Sequence, residues 1–397
     1  MLLEMFLSIL LGIFAGTITG LIPGIHINLV GVFLVSLSVS LLKNINPIFL
    51  IIFIASMAIA HTFVDFIPSI FLGCPDTETQ LSILPGHEML KEGNGYEAVR
   101  LTSLGGLYAV FILLIIAFPI SFLVSNVYEG IHSIMLWILL SVSCLLVFQE
   151  KKKFIALFVF LISGILGLCV LNSNMQEPLL PLLTGLFGSS LLITSIKDKI
   201  EIPQQMINEP RCNISKPLFG SIIASPLCGF LPGLGSGQAA VLANTISKTD
   251  KRGFLFLIGA TNVLVMGLSF VSLYAISKTR TGAAAAIQEI IGVLSWKTLL
   301  LVLIAVLISG IISFFLTKHL TKFFSQKMDK INYSSLSIAV LIFLAIITII
   351  FSGFFGLLVL IASTLVGVYC NGLPVKKTHM MGCLLIPTII YYGMNSI

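Results

Sequence analysis

The sequence predicts an all-α polytopic membrane protein with two inverted repeats, each a re-entrant helical hairpin plus about five transmembrane helices. Three observations support this prediction. The 397 residues are 57% hydrophobic and only 10% charged, whereas a soluble domain has about 25% charged residues. Apolar runs of about 20 residues, the length of a membrane-spanning helix, recur from end to end, and the mean hydropathy is +1.10. Two overlong apolar segments are each broken centrally by Pro-Gly.

Ten segments are each long and apolar enough for one full crossing. They are 46–70, 104–125, 131–148, 154–171, 178–196, 252–276, 294–316, 333–350, 353–370 and 380–394. The two overlong segments, 5–42 and 217–247, exceed one span but are too short for two spans and a loop. Each is therefore predicted to be a hairpin that enters and leaves the membrane on the same side.

The basic residues orient this arrangement. Eighteen of the 22 Lys and Arg residues fall on one side when the cytoplasmic segments are 71–103, 149–153, 197–216, 248–252, 317–332 and 371–379. Basic residues concentrate in cytoplasmic loops, and this bias requires both hairpins to be re-entrant. The first repeat is then 1–196 with hairpin 5–42, and the second is 217–397 with hairpin 217–247. A cytoplasmic linker, 197–216, joins them. An odd number of crossings per half gives the repeats opposite orientations.

The two Pro-Gly breaks, "GLIPGIHIN" and "GFLPGLGSGQ", predict an anion site. Pro and Gly end one half-helix and turn the chain, so the next half-helix begins with N–H groups directed at the turn. Such helix ends favour carboxylates or phosphates. The predicted substrate-binding residues are Gly24, His26 and Asn28 in the first tip and Gly233, Gly235, Ser236, Gly237 and Gln238 in the second. The alternative is that Gly and Pro only kink closely packed helices.

These residues resemble the large membrane subunit of the tripartite tricarboxylate transporter family, especially its shorter archaeal-type relatives. The matching stretches are "GTITGLIPGIHIN", "LPGHEMLKEGNGYEAV", "GFLPGLGSGQAA" and "KTRTGAAAAI". The resemblance implies uptake of a di- or tricarboxylate coupled to an ion gradient. It also implies two partners, a small membrane subunit and an extracytoplasmic binding protein. The chain departs from the family in its shorter length and in carrying His26 where a plainer "PGLG" is usual.

Ionisable residues near the membrane suggest further roles. Asp65 and His61 share one helical face within an apolar run and are predicted to carry a proton or help bind Na⁺, because a buried acid in lipid is costly. A wet helix end before Pro68 is the alternative. Arg280, one of four basic residues outside the cytoplasmic set, is a predicted carboxylate ligand; the alternative is an arginine that only lies at the membrane interface. The run Asp76–Glu78 is predicted to be a cation pathway, a gate or solvated loop charge. His87 and Glu88 are expected at the surface.

Other functional classes fit less well. Ser236 between two glycines does not match the G-x-S-x-G elbow of hydrolases, so an enzyme is disfavoured. A lipid-phosphate carrier or flippase remains the main alternative, since helix ends suit phosphate equally well. No metal or cofactor is expected beyond Na⁺ or H⁺ as coupling ion, and the seven cysteines are interpreted as small apolar fillers. The net charge of +6 reports orientation in the cell membrane and not nucleic-acid binding. A homodimer is compatible with the arrangement.

Overall fold

A computed structural model describes residues 2–22, 46–74, 78–197, 202–231, 234–328 and 332–395. Within these ranges the chain is helical apart from short connections and contains no β-strand. The helices are α1 (Leu2–Leu21), α2 (Pro47–Val64), α3 (Phe66–Leu72), α4 (Ile83–Lys91), α5 (Gly95–Phe148), α6 (Lys153–Leu171), α7 (Leu179–Leu183), α8 (Ser190–Lys197), α9 (Ser215–Phe230), α10 (Ser236–Ser247), α11 (Lys251–Ile276), α12 (Gly282–Ile291), α13 (Trp296–Met328), α14 (Tyr333–Asn371) and α15 (Gly382–Asn395).

Eight helical segments in the described ranges are long and apolar enough to cross a membrane. They are Leu2–Leu21, Pro47–Leu72, Gly95–Tyr128, Lys153–Leu171, Leu179–Lys197, Lys251–Ile276, Trp296–Met328 and Tyr333–Asn371. The predicted class, an all-α polytopic membrane protein, is confirmed. Large apolar side chains such as Phe154 and Phe122 remain exposed, as expected for surfaces that face lipid.

At two positions where one predicted crossing follows another, the structure has a long helical element in place of the expected loop. The loop expected between 104–125 and 131–148 is wrong, because α5 runs through this region as one helix of 54 residues. Gly130 is the only helix breaker there, and the Ser125 and Asn126 side chains hydrogen-bond back to the Phe122 carbonyl. The segments 333–350 and 353–370, predicted as two crossings, belong to the single element α14, in which Gly353 has φ of 68° and interrupts the helix. Only glycine adopts that backbone region readily.

The chain divides into two compact units, and each unit takes segments from both halves of the sequence. Unit 1 comprises Met1–Ile67, Ala98–Tyr128 and Glu209–Phe323, and unit 2 comprises Pro68–Glu97, Glu129–Asn208 and Phe324–Ile397.

The centre of unit 1 is formed by α2 and α11, most of whose residues are buried. Three glycines of α1 allow its backbone to approach α2 closely; a Cβ at Gly12 would lie 2.5 Å from the Phe53 carbonyl oxygen. A Cβ at Gly259 of α11 would clash with the Thr102 carbonyl of α5. On the other side, Ile52 and Ala60 of α2 pack with Ala305 of α13. Small residues replace bulky ones at these crossings, as is usual where membrane helices associate.

Unit 2 contains two further close helix pairs. A Cβ at Gly164 of α6 would clash with Ile386 of α15. A Cβ at Gly185 would lie 2.5 Å from Ser363 Cβ of α14. Gly185 belongs to a π-helical turn, Thr184–Ser189, that joins α7 to α8. Directly after this turn, the Ser190 hydroxyl accepts a 3.1 Å hydrogen bond from Asn371 Nδ2 of α14.

The surface position expected for His87 is wrong, whereas Glu88 beside it is exposed as expected. The His87 ring is 1% exposed. Its Nδ1 lies 3.1 Å from the Ile70 carbonyl oxygen, and its Nε2 lies 2.6 Å from the Tyr333 hydroxyl. Because Nδ1 donates to a carbonyl, Nε2 accepts from tyrosine and the ring is neutral. Burial, aided by the charge of Lys91 and opposed by the Ile70 hydrogen bond, lowers the pKa of His87 to about 4.

Candidate functional site

The second predicted hairpin consists of two short helices that lie side by side in opposite directions. A Cβ at Gly220, early in α9, would come within 2.6 Å of the Ala243 carbonyl oxygen and 2.8 Å of Ser247 Oγ, both late in α10. The helices have 16 and 12 residues, so they extend about 24 and 18 Å. Neither length covers a hydrocarbon core of about 30 Å.

The described residues on either side of the break between these helices are extended. Leu231 follows α9 with φ of −98° and ψ of 141°, and Gly235 precedes α10 with φ of −121° and ψ of −171°. Both conformations lie in the β region, which non-glycine residues also adopt. Gly233, one of the predicted ligands, lies outside the described residues.

Gln238 stabilises the start of α10. Its side-chain Oε1 accepts a 3.0 Å hydrogen bond from the Gly235 N–H, as the third helical residue does in a capping box. Ser236 and Gln238 are 1% and 5% exposed, and Gly237 is buried between them. The amide oxygen that the sequence suggested as a ligand contact is therefore engaged with the main chain of the turn.

Arg280 contacts the other side of the break. Its Nε donates a 2.6 Å hydrogen bond to the carbonyl of Phe230, the last residue of α9. The last carbonyls of a helix lack helical partners and carry partial negative charge, so an arginine there stabilises the helix end. Arg280 is only half-buried, and it brings a permanent positive charge to the break.

A second cation and a tyrosine accompany Arg280. The Tyr128 hydroxyl accepts hydrogen bonds from Arg280 Nη2 at 3.2 Å and from Lys278 Nζ at 3.3 Å. The ammonium group of Lys278 also lies 4.7 Å from the centre of the Tyr128 ring. Tyr128 was not predicted from the sequence, since a tyrosine after an apolar run is typical of any membrane interface.

The loop that carries Arg280 is fixed by hydrogen bonds at both ends. The Ser272 hydroxyl donates to the Lys278 carbonyl at 2.8 Å, and Ser269 Oγ lies 2.8 Å from Thr281 Oγ1. Thr281 in turn caps α12 by accepting from the Ala284 N–H. The arginine therefore belongs to a structured loop.

Asp65 and His61 belong to the C-terminal end of α2. They lie beside the end of α1, the helix that precedes the first Pro-Gly break. Both are buried, at 4% and 3% exposure. His61 Nδ1 is 3.1 Å from the Thr19 hydroxyl. A Cβ at Gly20 would lie 3.2 Å from the Asp65 main-chain nitrogen, so α1 ends directly against the turn that contains Asp65. The tip itself, with Gly24, His26 and Asn28, lies outside the described residues.

The end of α9 packs against α11 in a similar way, and no acid takes part in this contact among the described residues. A Cβ at Gly229, near the end of α9, would lie 3.0 Å from Leu268 Cβ of α11. The neighbouring polar residue is Ser269, a neutral hydroxyl. A carboxylate is therefore present beside the end of α1 and absent from the matching contact of α9.

The structure brings the described site residues into one unit. Asp65 and His61 lie beside the end of α1, and Arg280 contacts the last residue of α9. Gly235, Ser236 and Gln238 lie at the start of α10, and all of these residues belong to unit 1. The run predicted as a gate is outside the described residues at Asp76 and Thr77, and Glu78 begins a turn.

These features define an integral multi-pass membrane protein with a broken helical hairpin and buried ionisable residues. The chain belongs to the tripartite tricarboxylate transporter TctA family, whose sequence profile matches residues 6–382. This is a family of transporters, and its members work with a small membrane subunit and a binding protein. An uncharacterized protein of the archaeon Methanocaldococcus jannaschii is 34% identical over 399 residues, covering 97% of this chain and 98% of that protein. No solved structure matches.

Proposed function

We propose that this protein is a secondary active transporter that imports a small di- or tricarboxylate across the cell membrane. The anion binds between the tips of the two Pro-Gly-broken hairpins, and a Na⁺ or H⁺ gradient drives its uptake. The observation that carries the proposal is the hydrogen bond between Arg280 and the Phe230 carbonyl, because it puts a permanent cation at the helix break. Arginine binds carboxylates through a planar fork of donors.

The first turn of α10 adds to this electrostatic preference. Helix N-termini carry a partial positive charge, and the Gln238 bond to Gly235 holds the turn in place. Three small positions in "GLGSG" leave room for a ligand to approach the main chain. A carboxylate at the break would thus meet a helix N-terminus and an arginine together.

Asp65 supports coupling to a cation. A buried acid within a membrane segment is a functional residue by default, and the matching contact of α9 offers only the neutral Ser269. A single buried acid beside the two hairpins is suited to binding one driving ion. His61, one helical turn away, would accept a proton or form a hydrogen bond with the neighbouring group.

Reciprocal helix contacts support two related repeats, 1–196 and 217–397. In unit 1, α2 packs on α13 while α11 packs on α5. In unit 2, α6 packs on α15 while the second part of α14 packs on the α7–α8 segment. If α2 corresponds to α11, α5 to α13, α6 to the second part of α14 and α7–α8 to α15, each contact has its counterpart. Repeats related by a two-fold axis make such contacts in pairs.

Two contacts between loops each join residues that the basic-residue pattern assigns to one side of the membrane, although the continuous α5 lacks the turn that this pattern requires at 126–130. Glu150 accepts from the Lys376 main chain and lies 3.3 Å from His379, and all three belong to segments assigned to the cytoplasm. Tyr128 contacts Lys278 and Arg280, and these residues all belong to the opposite side.

Uptake by the purified chain in proteoliposomes tests the proposal. Labelled citrate, tartrate and smaller carboxylates are offered under separate Na⁺ and H⁺ gradients. Accumulation of at least one carboxylate under one gradient is the expected result. Absence of carboxylate uptake and binding, combined with movement of a phospholipid, would instead establish the lipid-phosphate carrier. A parallel series with a co-expressed small subunit and binding protein tests the proposed partners.

A further inference from the structure

Arg100 is a buried arginine whose hydrogen-bonding capacity is largely unused. It lies in the second turn of α5 and is 3% exposed. Its guanidinium carbon lies 4.5 Å from the centre of the Phe314 ring of α13. Nε and Nη1 have no hydrogen-bond partner among the described residues. Because a guanidinium has five donors and a permanent charge, burial with unmet donors is unfavourable unless an anion completes the site.

Among the described residues, the carboxylate nearest to Arg100 completes this site poorly. Glu209, in the linker between the two halves, has its Oε2 3.7 Å from Arg100 Nη2. Charge-assisted hydrogen bonds of this kind are about 2.8 Å long. Glu209 makes its closer contact, 2.8 Å, with Lys318 Nζ of α13. Two cations thus face one carboxylate, and that carboxylate belongs to a side chain that is 66% exposed.

Glu209 is ionised at neutral pH. The hydrogen bond from Lys318 holds the pKa of its carboxyl below the usual value, and the charges of Arg100 and Lys318 act in the same direction against partial burial. It is therefore a resident anion that resembles the proposed substrate in its charged group.

We infer that Arg100 and Lys318 form a second carboxylate-binding site in unit 1, which Glu209 fills while no substrate is bound there. The Phe314 ring covers one face of the guanidinium, which leaves its edge for an anion in the plane of the donors. Displacement of Glu209 requires the rotation of one largely exposed side chain. The inference rests on the proposed function, since it assigns this site to the same class of substrate.

The position of the site gives it a place in transport. Arg100, Glu209 and Lys318 come from three segments, 71–103, 197–216 and 317–332, that the basic residues all assign to the cytoplasm. A carboxylate that leaves the hairpin site for the cytoplasm would meet Arg100 near the start of α5. The site thus binds the substrate during its release, at a position separate from the hairpin break.

Citrate binding to the purified full chain, measured by calorimetry, tests the inference. Glu209→Gln removes the resident anion while preserving size, so citrate affinity should rise by at least about three-fold, because a site blocked part of the time has a proportionally weakened apparent affinity. Lys318→Gln should lower the affinity. The matched control is Glu289→Gln, which removes the same charge from an exposed residue of α12 and should leave affinity unchanged.

The outcomes separate the two proposals. If the wild type binds citrate but neither Glu209→Gln nor Lys318→Gln alters its affinity, Arg100 is a structural residue and the inference fails alone. If no variant and no wild-type protein binds any carboxylate, the proposed function fails. Inorganic phosphate is titrated in parallel, and a gain for phosphate without a gain for citrate in Glu209→Gln would overturn the assignment to carboxylates. Lys318 is 39% exposed, so Lys318→Gln tests the site without replacing the buried Arg100.

Discussion

The Nε atom of Arg280 lies 2.6 Å from the main-chain oxygen of Phe230, across 50 residues of sequence. This hydrogen bond joins a loop to the last residue of a helix that stops inside an apolar segment. It has two consequences, one for stability and one for ligand binding.

Arg280→Gln should lower both the stability of the folded protein and its affinity for a carboxylate. Loss of a hydrogen bond from a charged group should lower the free energy of unfolding by about 1.5–3 kcal/mol, and citrate affinity should fall by about ten-fold or more. Thermal unfolding in detergent and calorimetric titration measure the two effects. Lys278→Gln is the control, because it removes a charge that contacts the same Tyr128 without reaching Phe230. Equal effects of the two changes would mean that only the general positive potential matters.

Asp65→Asn should abolish gradient-driven uptake and leave exchange of labelled for unlabelled substrate measurable. The amide is nearly the same size as the carboxylate, but it has no charge to bind Na⁺ or H⁺. Proteoliposome uptake is compared with counterflow in the same preparation, with Glu289→Gln as the charge-matched control. Normal accumulation by the Asn variant would show that Asp65 has no role in coupling.

Gly235→Val should eliminate carboxylate binding while the protein still inserts and purifies as a folded species. The backbone of Gly235 is extended, so valine introduces no conformational strain there, and its isopropyl group lies at the break. Ser236→Ala should cost only about 1 kcal/mol of binding free energy, as expected for one neutral hydrogen bond. Normal binding by Gly235→Val together with complete loss in Ser236→Ala would contradict a main-chain cradle and favour a catalytic serine.

Gly24→Val is the matching change in the first tip and should be comparably damaging. If it leaves citrate affinity unaltered, the site belongs to the second hairpin alone. The same calorimetric titration detects either result.

His87 should make the protein less stable as the pH falls from about 6.5 to about 4. Its pKa is lowered to about 4 in the folded protein, against about 6.5 in an unfolded chain. Between these values the unfolded state takes up the proton, so the free energy of unfolding decreases with falling pH. Thermal unfolding across this range should be flatter in His87→Gln than in the wild type. Parallel curves for the two proteins would show that the ring protonates within the fold.

Sequence patterns predicted features that depend on nearby residues. The break between α9 and α10 follows from the local Pro-Gly chemistry of "GFLPGLGSGQ". The continuity of α5 was missed because a predicted orientation required a loop there, while residues 126–130 contain too few helix breakers to make one.

Contacts between distant segments were not predictable in the same way. His87 lies in a polar stretch, and its burial depends on Tyr333, 246 residues away. Arg100 was counted only as a cytoplasmic charge, because its burial depends on the Phe314 ring. Neither partner leaves a signal near these residues in the chain.

The π-helical turn Thr184–Ser189 accommodates one extra residue within its membrane segment. A π turn holds one more residue than the α-helical turn it replaces, and both turns carry the chain once around the helix axis. Deletion of one residue there would therefore restore an α-helical turn and leave α8 close to its present rotation, with Ser190 still facing Asn371. The same deletion within a regular α-helix would rotate every later residue by about 100°. A one-residue change in length is therefore better tolerated at this turn than elsewhere in a regular helix.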